Sequence, residues 1–225
     1  MSLPSFTRLI RFIAKNDASK ILIGEPTSAS EDVGLALRKG LDVWAYLFTG
    51  SSMLAPGNKT QQIVQIDRLL SPLAQQEVGT IRCIGLNYRQ HAREVNLAIP
   101  TVPTVFLKPA TSLNDPFPSP IPLPKISQSS DSADYEAELA VVIGKTCRNV
   151  KEDEAYDYVL GYTACNDVSS RAPQFRDSQW CFSKGFDGAC PLGPTLVSSQ
   201  IIPDPSTLNL RGLRNNQVVQ DSGIE

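Results

Sequence analysis

Three carboxylates stand where a hard cation could be held. Glu136 and Glu138 lie two apart in Asp134-Tyr135-Glu136-Ala137-Glu138, directly before the apolar run Leu139 to Ile143. Alternate side chains of a strand share a face, so both glutamates point the same way. The run that follows is apolar at both parities and reads as a strand buried on both sides, which makes the glutamate face interior within one or two residues. Two carboxylates in such a place repel each other and lose hydration unless something positive sits between them. A third acid, Asp167, follows the apolar stretch Tyr158 to Cys165. Three carboxylates without an imidazole suit Mg²⁺, with Mn²⁺ as a substitute, because octahedral oxygen coordination leaves positions open for water and substrate. The chain has a single histidine, His91. Centres needing two or three imidazoles are therefore excluded by arithmetic.

His91 precedes Glu94 by three residues, so on a helix the two share a face. A carboxylate on one ring nitrogen raises the basicity of the other and makes a general base at neutral pH. Each motif also has a plainer reading. A bare Glu-x-Glu is often the solvated face of an antiparallel strand, and Asp167 could cap the segment from Ser169 or form an Asx turn. His-x-x-Glu is commonly a surface pair, and Lys184 on its own reads as a solvated loop lysine.

The elements that must position these residues are short. The stretch to about Ser71 alternates apolar pieces with turn signals: Ile10 to Ile13 reads as a first strand, and Ile21-Leu22-Ile23 precedes Gly24. Ile63, Ile66, Leu69 and Leu70 behind Thr60 have helical spacing and predict a short helix over 60–70. Residues 1–71 thus form a small N-terminal domain, with Ser71 to Glu77 as a linker and a main body over 78–225. In that body, strand-like runs at Ile81 to Gly85, Val105 to Leu107, Leu139 to Ile143 and Val159 to Cys165 are separated by turn residues, with short helices expected near Tyr88, Glu152 and Ser169. The proline-dense stretch Pro109 to Pro124 predicts an extended surface crossing. The fold class expected is mainly β, or α+β, around a curled sheet.

Composition narrows the partners. The 21 basic and 23 acidic residues of the 225-residue chain give a net charge of -2 with no basic cluster, which argues against nucleic acid. No apolar run approaches the length of a membrane span, and the N-terminal segment lacks the apolar core of a secretory signal. Five scattered cysteines, without a C-x-x-C pair, indicate neither a disulfide framework nor a thiolate zinc site and fit a reducing compartment. The expected location is cytoplasmic. Arg8, Arg11 and Lys15, with no acid before Asp17, also allow a mitochondrial one.

The segments IGLNYRQHAREV, FLKP, DYEAELAVVIGK, GYTACNDVSSRAPQFRDSQW, FSKGFDGACPLGP and LRNNQVVQDS together resemble the fumarylacetoacetate hydrolase superfamily from Ile81 onward. The form is most similar to members acting on acylpyruvates and oxaloacetate. The resemblance implies a curled mixed β-roll (the fumarylacetoacetate hydrolase catalytic fold), usually a homodimer, with Glu136, Glu138 and Asp167 as Mg²⁺ ligands. It implies that His91 and Glu94 activate water or shuttle a proton from a lid, that Lys184 lies near the metal, and that Arg171 and Gln174 contact substrate. A small oxo acid would chelate the cation, which supports C–C hydrolysis, decarboxylation or keto-enol exchange. The resemblance also implies further strands and a Thr-Gly-Thr loop beyond Glu225, so unpaired strand edges, exposed apolar surface and impaired catalysis are expected of the catalytic unit 78–225 by itself. A truncated relative that binds metal or a full-length partner without turnover, and a structural domain with only surface acids, are the competing expectations.

Overall fold

The four strands nearest the N-terminus curl until the first meets both the second and the fourth. The structure is a computed structural model and describes residues 3–94, 96–128 and 131–224. Strands β1 (Arg8–Ala14) and β2 (Asp17–Pro26) form a hairpin; helix α1 (Val33–Arg38) and strands β3 (Trp44–Phe48) and β4 (Lys59–Leu70) follow. Strand β1 pairs with β2 through Ile10–Gly24 and with β4 through Arg11–Leu70. Ile10, Phe12 and Ala14 alternate inward and pack on Val33, Ala36, Val64 and Ile66 in a closed apolar cluster. Glu25 ties the strand ends together: it accepts from Thr7 N at 3.0 Å and from Lys59 Nζ at 2.7 Å. Burial acts to raise its pKa, but Lys59, Thr7 and Arg8 prevail and hold it down at about 2.

The helix expected over 60–70 is a strand instead. In β4, Ala14 faces Ile66 while Ile13 faces Arg68, so Asp67 is an extra residue that shifts the register by one. That bulge moves the buried positions from Val64 and Ile66 to Leu69 and Leu70, and the resulting spacing imitates a helix.

The main body continues with β5 (Thr80–Gly85), α2 (Arg89–Glu94), β6 (Thr104–Pro109), β7 (Leu113–Asn114), α3 (Lys125–Gln128), β8 (Ala133–Asp134) and β9 (Ala137–Ile143). Next come β10 (Val159–Asn166), β11 (Ser169–Ser170), α4 (Arg171–Arg176), α5 (Cys181–Lys184), β12 (Cys190–Pro191), β13 (Leu196–Ser198), β14 (Asn209–Arg214) and β15 (Gln217–Gly223). A seven-stranded sheet runs β2-β3-β4-β1-β13-β10-β9, joined where Arg8 and Leu9 pair with Val197 and Leu196. A second apolar cluster sits under that join, with Phe6, Leu9, Ile23 and Phe48 against Val142, Leu160 and Leu196. Among the described residues the pairings of the seven-stranded sheet are antiparallel and only the separate pair β12–β7 is parallel, so the fold is mainly β, as expected. The helices near Tyr88 and Ser169 form, and Glu152–Tyr158 is a 3₁₀ helix.

Two further expectations need correction. The run Leu139 to Ile143 is not buried on both sides: Val141 and Ile143 are 49% and 51% exposed, because β9 is an edge strand with one covered face, the one bearing Val142. The Pro109–Pro124 crossing is not wholly superficial, since it begins with a 3₁₀ turn, Ala110–Ser112, in which Ser112 is fully buried. Among the described residues no helix is long and apolar enough to cross a membrane.

Candidate active site

Strand pairing delivers the acids to one place. Glu138 of β9 stands opposite Cys165 of β10, and Ala137 opposite Asn166. The ladder then extends past the named strands: Asp167 N donates to Glu136 O at 2.9 Å, and Glu136 N donates to the Asn166 side chain at 3.1 Å. Ser169 of β11 pairs with Asp134 of β8, which turns the chain into α4 and points Arg171 back at the acids. Gln220 of β15 clamps the start of β9, accepting from Ala137 N at 3.0 Å and donating to Ala137 O at 2.8 Å.

The side chains form an alternating network of charge. Lys184 is 2% exposed; its Nζ lies 2.8 Å from Glu136 Oε2 and 2.9 Å from Asp167 Oδ2, and donates to Ser169 Oγ at 2.6 Å. Lys108, fully buried, donates to the other oxygen of Asp167. Arg171 bonds Glu136 Oε1 at 2.5 Å, Asp134 Oδ2 at 2.7 Å and Gln174 Oε1 at 2.8 Å. Burial opposes the charge on Arg171, but Glu136 and Asp134 outweigh it and raise its pKa. Two buried lysines on one buried aspartate are tolerable only because each opposite charge compensates the lost hydration of the others.

Glu138 is treated differently. Its Oε2 accepts from Tyr88 OH at 2.5 Å. Burial pushes its pKa up to about 7, and Glu136 and Asp167 add to the rise, against the Tyr88 bond and Lys184. Tyr88 is raised in turn by burial and by Glu138. The Cys83 thiol, also beside this network, is pushed up to about 12 by burial and by Asp167.

Of the residues singled out from sequence, Glu136, Asp167, Lys184, Arg171 and Gln174 come together directly, and Glu138 adjoins them. Lys184 is a buried member of the network, so its plainer reading as a solvated loop residue does not hold. His91 and Glu94 pair with each other across 3.7 Å on α2, with side chains 55% and 61% exposed, and among the described residues no hydrogen bond or ion pair joins them to the acids. Lys108, Tyr88, Ser169 and Asp134 went unassigned. Parity could have found Lys108: in β6 it shares a face with Phe106, and both are buried while Val105 and Leu107 are exposed.

In donor type the three carboxylates suit a hard divalent ion, and burial, with Glu136 and Asp167 adding to it, pushes the pKa of Glu138 up to about 7. In arrangement, Lys184 spans Glu136 and Asp167, and among the described residues no three acid, cysteine or histidine side chains converge as ligands on one point.

The curled, mainly β fold thus places a buried carboxylate–lysine network where β9 meets β10. The chain belongs to the fumarylacetoacetate hydrolase family: residues 80–225 match the family model described as fumarylacetoacetate (FAA) hydrolase C-terminal. It is 49% identical over 189 residues to caffeoylpyruvate hydrolase of Neonothopanus nambi, covering 81% of this chain and 64% of that one. It is 45% identical over 156 residues to the mitochondrial oxaloacetate tautomerase fahd2 of Xenopus laevis, covering 68% and 47%. The chain thus spans about half to two thirds of the length of these relatives. Among solved structures it resembles Cg1458 with inhibitor, at a TM-score of 0.77 and 33% identity over 97% of this chain and 78% of that one. It also resembles 5-carboxymethyl-2-hydroxymuconate delta-isomerase from Mycobacterium smegmatis, at 0.75 and 32% over 96% and 75%.

Proposed function

We propose that this chain carries a Mg²⁺-dependent site, with Mn²⁺ as substitute, that acts on small 2-oxo or 1,3-dicarbonyl acids by C–C hydrolysis, decarboxylation or keto-enol exchange. The observation that carries the reading is Glu138, a buried carboxylate beside Glu136 and Asp167 whose pKa burial pushes up to about 7, in a family whose relatives include a caffeoylpyruvate hydrolase and an oxaloacetate tautomerase. Glu136, Glu138 and Asp167 would hold the ion. When bound, it would neutralise the acids and polarise the oxo group of the substrate. Arg171, steadied by Gln174, binds the substrate carboxylate, for which a guanidinium fork is suited. Lys184 offsets developing negative charge on oxygen.

His91 and Glu94 move the proton, which requires α2 to close over the cluster. The joint for that motion is Gly85-Leu86-Asn87, where Leu86 has a φ of +51° and Tyr88 already bonds Glu138. Apolar side chains left open on Ile84, Val105, Val141 and Ile143 support a homodimer.

Mg²⁺ titration while following the absorbance of an enolised acylpyruvate or oxaloacetate tests the reading. Metal-dependent turnover that Glu136→Ala abolishes supports it. Metal uptake without turnover favours the second reading, a catalytically impaired relative that keeps the metal site. Solvent exposure of His91, away from the acids, is the observation on that side.

A further inference from the structure

Trp180 stands where two parts of the site meet. The pairing of β5 with β6 sets Cys83 opposite Phe106 and Gly85 opposite Thr104, so Gly85 shares a face of this hairpin with the buried Phe106 and Lys108. The indole of Trp180 lies on that face. A Cβ added to Gly85 would stand 2.3 Å from Cζ3 and 3.0 Å from Cη2 of Trp180, so the six-membered ring fills the space that any other side chain would need. The φ of Gly85 is outside the left-handed region, which means that the approach of the indole, not the backbone conformation, requires glycine there. The Phe106 ring meets Trp180 edge-on, with centroids 5.6 Å apart and planes at 72°.

The same residue starts α5. Trp180 O accepts from Lys184 N at 3.0 Å and from Ser183 Oγ at 3.0 Å. Four residues of helix are too few to hold themselves, and Cys181 and Phe182 are exposed, so α5 keeps its place through Trp180, Ser183 and Lys184. At its end Lys184 Nζ lies 5.3 Å from the centre of the Phe106 ring and reaches Glu136 and Asp167. On the other side of the contact the chain leaves Gly85 through Leu86 and Asn87 to Tyr88, whose hydroxyl bonds Glu138.

We infer that Trp180 is a positioning residue, a rigid spacer between Gly85 and α5 that fixes Lys184, with Glu136 and Asp167, relative to Tyr88 and Glu138. It acts through Lys184. When the indole is removed, or pushed off its seat, α5 loses its backing and Lys184 moves away from Asp167, which Lys108 still holds from β6. The positioning does not depend on the proposed function; its effect on turnover rests on that reading.

The test treats the full chain with an amine-acetylating reagent, in the wild type and in Trp180→Ala, Trp180→Phe and Gly85→Ala, and maps the modified lysines by mass. In the wild type Lys184 and Lys108 should stay protected while the exposed Lys151 reacts. In Trp180→Ala and Gly85→Ala, labelling of Lys184 should rise severalfold with Lys108 still protected, and Trp180→Phe, which keeps an aromatic ring, should lie between. Lysine 184 as protected in the variants as in the wild type overturns the inference. Parallel opening of Lys108 does so too, because it marks general loosening instead of a lost spacer. If Trp180→Ala does not fold, Gly85→Ala and Trp180→Phe decide. With Mg²⁺ and an oxo acid, Gly85→Ala should lower kcat by about 10- to 100-fold and change KM little, since Lys184 meets charge that develops in the reaction whereas Arg171 meets a carboxylate already present. A rise in KM at constant kcat overturns the inference. A wild type without turnover would count against the proposed function and leave the labelling to decide the role of Trp180.

Discussion

Asp167 Oδ2 and Lys184 Nζ lie 2.9 Å apart inside the protein, and that contact ties α5 to the end of β10. Because Lys108 holds the other carboxylate oxygen, Asp167 is surrounded by cations, whereas among the described residues Glu138 a strand away has only a phenol and a more distant ammonium. One site therefore contains an anion with full compensation and another without it.

Lys184→Met should be destabilising. It leaves Glu136 short of one cation and removes one of two from Asp167, and removing one partner from a buried pair costs about 3–5 kcal/mol. Mg²⁺ should return part of the loss, since a ligand at a hundredfold excess over its dissociation constant stabilises by about 2.7 kcal/mol. Urea denaturation of the wild type and variant, each with and without Mg²⁺, measures both effects. A variant as stable as wild type in the absence of metal contradicts the account of the network.

Glu138 makes the metal-free protein lose stability as pH rises. Below its ordinary value of 4.5 the group is protonated in both folded and unfolded states. Between 4.5 and about 7 the unfolded chain gives up the proton while the folded one keeps it, so stability falls across that window and levels off above it. The size of the fall is about 3 kcal/mol. Glu138→Gln should remove this slope, and Tyr88→Phe, which takes away the bond favouring the carboxylate, should move its upper end to higher pH. Mg²⁺ affinity should rise through the same window, because a ligand carboxylate must be deprotonated. Denaturation midpoints and calorimetric Mg²⁺ binding at several pH values check the sign.

Arg171→Lys should raise KM for an oxo acid by roughly 10-fold or more while kcat changes less, since a point charge cannot reproduce a bidentate fork, and a lost charge-assisted hydrogen bond is worth about 1.5–3 kcal/mol. Gln174→Ala, which loosens only the orientation of that guanidinium, should show a smaller rise. Steady-state kinetics on both variants separates the two; a fall in kcat at constant KM would assign Arg171 to the chemical step instead.

Much of this site was legible because it lies on strands with simple alternation. Glu136, Glu138 and Asp167 could be placed from the parity of β9 and the end of β10, and the family motifs added Lys184, Arg171 and Gln174. Lys108 was missed because a lysine in an apolar strand is usually exposed, and its burial depends on the partner Asp167, which is 59 residues away along the chain. The misread helix over 60–70 has a local cause: the bulge at Asp67 breaks the two-residue period and leaves apolar positions three and four apart. The exposed face of β9 was out of reach for a different reason. Hydropathy marks Val141 and Ile143 as apolar but does not say what covers them.

His91→Asn tests whether α2 serves the cluster at all. The side chain is more than half exposed and its only ionic neighbour among the described residues, Glu94, is 3.7 Å away, so the substitution should change folding stability by less than about 0.5 kcal/mol. Mg²⁺ affinity should also be unchanged, because no bond connects His91 to the three acids among the described residues. If α2 closes over bound substrate and His91 moves the proton, kcat should nevertheless fall by about 10²–10⁴-fold, the usual contribution of a positioned general base. Combining the substitution with Glu94→Gln should then cost little more, since the two act as a unit. A His91→Asn protein with undiminished kcat would remove the dyad from the mechanism and leave proton transfer to Lys184 or to Glu138, the group whose pKa lies near 7.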